Sequence, residues 1–291
     1  MKYLLTVVSL FIILSSSSNK DYISGGYYER AYLADSLFLS GDIQNSNKIL
    51  TKLFNEFQPI NLKYYGEFKT YVKSDFLLGR VKKSKVGFER LISEYGLTMS
   101  QINNDNVLSK LFKHKNFSDE DYKRLRKIYL KNSLNSLQNE IASIKILDSK
   151  YRVNRDIYKK NKEAQDSIDK KNALKLKEIF ENYGYPSTQR LGLVEGMKTR
   201  DYDIMIPLLH TSDSIRKVYF LPKILGFIRK GECNPLVYAF LFDQMRLYNN
   251  LPQKYGSYNS SNIRSFDSLN KFRKEIGLPK HGYEKWRRNV M

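Results

Sequence analysis

The chain contains one cysteine in 291 residues, so no internal disulfide can form. That residue, Cys233, follows Gly231-Glu232, and nothing beside it in the sequence lowers a thiol pKa. It reads as a structural residue, not a nucleophile. There are only three histidines, and no two stand at metal-ligand spacing. A Gly-x-Ser-x-Gly elbow and a glycine-rich phosphate loop are both missing. No stretch alternates apolar and polar residues for a useful length, which argues against sheet and for an all-α chain. No apolar run reaches the ~20 residues that a membrane span requires. No bound cofactor and no metal are expected.

Acidic residues are also scarce: 30 Asp and Glu stand against 50 Lys and Arg, a formal net charge of +20. A polyanion partner is one consequence of such a balance. The basic residues are scattered, however, over Lys82-Lys83, Lys123 to Lys131, Lys159-Lys160, Lys170-Lys171 and Arg287-Arg288. A nucleic-acid groove needs them along one face, so no nucleic-acid partner is expected. An anionic envelope surface stays open as a partner. Abundant Lys, Asn, Ile, Tyr and Ser also fit simple compositional bias.

What is present begins at the N-terminus. Met1-Lys2 precedes the apolar YLLTVVSLFIIL and then four serines, Ser15 to Ser18. A short positive start, an apolar middle and small residues at the end describe a secretory signal peptide over 1–18. No cysteine follows the run, so the expected product is exported, periplasmic or extracellular, and not lipid-anchored.

Residues 19–131 carry an internal repeat. With Gly41 set over Gly79, Ile43 meets Val81, Ser46 meets Ser84, Leu50 meets Phe88, Leu53 meets Leu91 and Phe57 meets Tyr95. Leu50, Leu53, Phe54 and Phe57 share one helical stripe. The pattern predicts paired helices with a glycine at the turn and a small residue where helices approach. It resembles tetratricopeptide repeats, though the usual Trp is absent. Ser118 reads as an N-cap before Asp119-Glu120-Asp121. The resemblance implies a protein or peptide partner received by the hairpins.

Residues 132–291 read as a second helical region. Tyr183-Gly184-Tyr185-Pro186 stops one helix, Asp213 is placed to cap another, Pro222 predicts a kink, and Asn234-Pro235 opens a further helix. The ordered motifs GYP, LLHTSD, YFLP, GECNP, AFLFDQ, QKYGSY and FRKEIGLPKHGYE resemble an uncharacterised bacterial domain family of unknown function. That family is frequent in exported proteins. The resemblance spans about Ser136 to Tyr283 and implies no established activity. It marks Asp148, Arg152, Gly184, Pro186, Gly192, His210, Asp213, Asp243, Gln253, Tyr255 and Gly256. This chain departs from the pattern at Leu209, Gln244 and Ser257-Tyr258.

The candidate catalytic residues are His210 with Asp213 or Asp243; the candidate binding residues are Asp148, Arg152, Gln253 and Tyr255. An imidazole oriented by a carboxylate can act as a general base, which makes an envelope hydrolase one reading. One His with two or three Asp can also hold a divalent ion. The structural alternative gives every one of these residues a local task. His210 then caps a helix C-terminus, Asp148 and Arg152 form an i,i+4 ion pair, and Asp243 and Gln253 satisfy buried backbone.

Overall fold

A computed structural model of the protein describes residues 20–60, 62, 66–114, 117–192, 203–258, 262–263 and 265–291. The expected leader, 1–18, lies outside them. The chain is about 70% helical with no strand among the described residues. One isolated bridge joins Gln253 and Ile263. No helix among the described residues is long and apolar enough to cross a membrane.

Helices α1 (Tyr27–Leu39) and α2 (Ile43–Glu56) pair with each other, as do α3 (Glu67–Leu77) and α4 (Val81–Ser93). Gly41 and Gly79 hold the two turns at φ 89° and 75°, a left-handed conformation that a side chain resists. Ser46 and Ser84 are fully buried, yet they act differently. Ser46 Oγ donates across to the Ala34 carbonyl of α1 at 2.7 Å, whereas Ser84 Oγ bonds back to Val81 within its own helix. Between the pairs, the buried carboxylate of Glu67 accepts from the Tyr27 hydroxyl at 2.7 Å and from the backbone N–H of Leu62 at 2.6 Å. It thereby holds the connecting loop against α1.

The chain continues through α5 (Met99–Asn103), α6 (Asn106–Phe112) and α7 (Asp119–Lys131). Ser118 caps α7, and Asp121 returns the bond to the Ser118 N–H, a complete capping box. Then come α8 (Asn135–Ser149), α9 (Arg155–Lys160), α10 (Lys162–Tyr183), α11 (Thr188–Leu191) and α12 (Met205–Leu209). After α13 (Asp213–Ile215), the turns widen into a π-helical stretch over Arg216–Phe220, which runs straight into α14 (Leu221–Arg229). The distortion expected at Pro222 thus falls just upstream of it. Proline has no N–H to return to the preceding turn, and widened turns tolerate that loss. Ser212, not Asp213, occupies the N-cap position, and Asp213 is the first helical residue. Asn234 caps α15 (Pro235–Tyr248) through its side-chain oxygen, 2.9 Å from the Leu236 N–H. Last are α16 (Phe266–Glu275) and α17 (Tyr283–Val290).

One buried apolar cluster takes side chains from both sides of Asn132. Tyr27, Tyr28, Leu50 and Leu53 join Ile144, Leu176, Phe220, Ile224, Ile228 and Leu241 in it. Hydrogen bonds stitch the same seam: the Tyr28 hydroxyl donates to the Ile228 carbonyl at 2.6 Å, and the Tyr22 N–H to the Arg229 carbonyl at 2.8 Å. The C-terminal helix α17 returns to α1, where Tyr283 and Arg287 both donate to the buried carboxylate of Asp35, at 2.7 and 2.8 Å.

Gly277 lies on this seam at φ 81°, and a Cβ there would overlap the Tyr28 ring; Gly282, at φ 87°, faces open space. Gly282→Ala is expected to cost only the backbone strain, about 1–2 kcal/mol. Gly277→Ala is expected to cost about 1–3 kcal/mol more through overpacking. Urea denaturation of both variants checks the difference; equal losses would mean that the seam is loosely packed.

Candidate functional site

The polar residues singled out in the sequence divide between two separate networks. In the first, α8 supplies Asp148 and α10 supplies Gln165 and Asp169, with Arg152 just past the end of α8 and His210 at the C-terminus of α12. The His210 Nδ1 lies 2.8 Å from Asp148 Oδ1. An ionised carboxylate only accepts, so the imidazole donates this bond from Nδ1. Asp148 also receives Arg152 at 3.3 Å. The Arg152 guanidinium forks onto Asp169, with Nη1 3.0 Å from Oδ1 and Nη2 on Oδ2. Gln165, fully buried, ties Asp169 to the backbone at the end of α8: its amide donates to Asp169 and to the Asp148 carbonyl, and its oxygen accepts from the Tyr151 N–H.

The acid that meets the imidazole is therefore Asp148, not Asp213 or Asp243. Asp213 accepts from Asn249 at 3.2 Å and stands 3.6 Å from Arg216. It borders an apolar groove of about 760 Å³ between α14 and α15, which Tyr238 and Phe242 also line. A single helical turn separates His210 from Asp213 in sequence, but the break after α12 turns their side chains to different neighbours. His210 bonds to no hydroxyl or thiol among the described residues.

The second network surrounds Asp243, fully buried on α15. Its carboxylate accepts from the N–H groups of Lys254 (2.8 Å), Tyr255 (3.1 Å) and Ser257 (3.0 Å), and from the Ser257 hydroxyl at 2.9 Å. Gln253 closes the same turn by accepting from the Tyr258 N–H at 2.8 Å. Gly256, at φ 61°, supplies the left-handed residue the turn needs. From α16, buried Arg273 donates to the Tyr255 carbonyl at 2.8 Å and to Glu284 at 2.8 Å. Three backbone N–H groups and one hydroxyl occupy the fully buried Asp243 carboxylate, which leaves it no free face for a substrate. Burial pushes the Tyr255 hydroxyl well above its usual range, so it stays protonated.

A third feature was not legible as a site. Where the helix pairs meet the C-terminal half, a half-enclosed cavity of about 250 Å³ opens. Lys69, Tyr95, Leu97 and Gln101 form one wall; Tyr185, Asp203, Met205, Glu232, Cys233, Asn234 and Leu236 form the other. A void of about 150 Å³ holds a benzene ring, so this one has room for a larger guest. Cys233 is buried and donates to the Asn234 carbonyl at 3.5 Å. Burial raises its pKa well above normal, which keeps it a neutral thiol, as its structural role requires. Neither His210 nor Asp148 lines this cavity.

The signal for Glu232 and Asn234 was present in the Gly-Glu-Cys-Asn-Pro motif, and Gln165 and Asp169 stand four apart on one helix face. Lys69 and Asp203 carried no such mark. Among the described residues, no group of three or more His, Cys, Asp and Glu is arranged to hold a metal ion. No family model, curated protein or solved structure matches the chain.

Imidazole nitrogen NMR separates the partners of His210. Asp148→Asn is expected to move the ring resonances, because the carboxylate bonded to Nδ1 is replaced by a neutral amide. Asp213→Asn is expected to leave them in place. Shifts of equal size in both variants would show that Asp148 is not the partner.

Proposed function

We propose that the protein is an exported binding protein that holds a peptide segment in the cavity between its helix pairs and its C-terminal half. The observation that carries this reading is the cavity itself: concave, with apolar side chains and polar groups converging on one space, as ligand sites are built. Its walls come from both halves, so the tetratricopeptide-like hairpins contribute one face of the site, as a peptide partner of such hairpins requires. The signal-like residues 1–18 support export.

The rival reading is an envelope hydrolase. What supports it is the His210 Nδ1 bond to Asp148, the orientation a general base uses. It lacks a bonded nucleophile among the described residues and shares no wall with the cavity. An anionic envelope surface as partner is supported only by the scattered lysines and arginines.

Two measurements test the proposal. The protein recovered from the periplasm of a bacterial host is expected to begin at Asn19; retention of Met1 contradicts export. Leu236→Trp, which places an indole where a half-buried leucine lines the cavity, is expected to abolish binding of short apolar peptides by calorimetry, while His210→Asn leaves it unchanged. Loss of binding in the histidine variant alone would favour the hydrolase.

A further inference from the structure

Among the residues that line the seam cavity, Lys69 is electrostatically unusual. It projects from the first turn of α3 and makes no hydrogen bond or ion pair within the described residues. The carboxylate whose charge it feels is Asp105, and that group is already held by Lys73 at 2.8 Å. Lys73 and Arg287 add further positive charge around it. The cavity's own acids do not serve Lys69. Glu232 lies on the far wall, 3.5 Å from Arg190. Asp203, on the same wall, accepts from the Met205 N–H at 2.9 Å. Burial lowers the pKa of this half-buried ammonium, and the Asp105 charge offsets that only in part.

An ammonium held this way is a cost to the folded chain, and an anion entering the cavity removes it. Leu62, Leu91, Leu97, Met205, Leu236 and Val237 also line the cavity, beside polar groups such as Gln101 and Thr188. Next to the charge, then, lies space for a branched apolar side chain.

We infer that the cavity takes a free carboxylate carrying an apolar side chain, the C-terminal residue of a short peptide, with the carboxylate on Lys69 and the side chain among the leucines. This rests on the binding reading above and names its ligand class. The chemistry is shared by a free amino acid and a chain end, and the probes below distinguish them.

The experiment is calorimetry with the full chain and three probes: the dipeptide Ala-Leu, its C-terminal amide, and free leucine. Ala-Leu is expected to bind at least tenfold more tightly than the amide. In Lys69→Met that preference is expected to vanish, with acid and amide binding alike. The variant is expected to unfold no lower than the wild type, because an uncharged side chain needs no counter-ion at neutral pH. Free leucine binding as tightly as Ala-Leu supports the carboxylate assignment and places the source among amino acids; weaker binding of leucine supports it and points to a chain end. If acid and amide bind equally to the wild type and Leu236→Trp blocks both, the carboxylate assignment falls while the cavity remains a binding site. If none of the probes binds, both readings fall.

Discussion

The helix pairs and the C-terminal half are fastened by burial of one continuous set of apolar side chains, and the rest of the structure follows from that shared core. Tyr27 and Tyr28 of α1 stand on the same cluster as Ile224 and Ile228 of α14, and the Tyr28 hydroxyl finds its acceptor on a carbonyl of α14. A hydroxyl taken out of water must be bonded, so this contact fixes register as well as contributing burial. The return of α17 to Asp35 closes the arrangement from the far end of the chain. The halves do not seal completely, and the unsealed part is the cavity beside Lys69.

The buried acids of the protein divide by what surrounds them. Glu67, Asp35 and Asp243 each gather several donors from backbone, tyrosine or arginine, and each fixes a turn or a helix against its neighbour. Asp148 takes part in a hydrogen-bonded network with Arg152, Asp169 and His210, which joins α8, α10 and α12. Such networks hold geometry when every member is satisfied. The polar residues in the C-terminal motifs are, in this light, concentrated where the backbone turns sharply between helices.

How far this was legible from the amino acids depends on the range of the interaction. The helix pairs were readable because Gly41 and Gly79, Ser46 and Ser84, and Leu50 and Phe88 are local signals repeated at a fixed offset. The cap at Asn234-Pro235 and the turn around Gly256 are likewise decided within a few residues. Asp243 and Gln253 as backbone acceptors at that turn follow from the same short range. The partner of His210 was not readable: Asp213 is three positions away and Asp148 is sixty-two, and only the packing of α8 on α12 makes the distant one the neighbour. Lys69 is one of 50 basic residues. Nothing in α3 announces that its neighbours' counter-charges are already taken.

The central claim is that both halves fold as one cooperative unit around the shared core. It is tested most directly by methyl NMR across a urea titration, following Leu50 and Leu53 of α2 alongside Ile224 and Leu241 of α14 and α15. Superimposed unfolding curves, with one midpoint and one slope, are what a shared core predicts. Loss of the α2 resonances at a urea concentration where Ile224 and Leu241 remain native would show two independent cores and contradict the account.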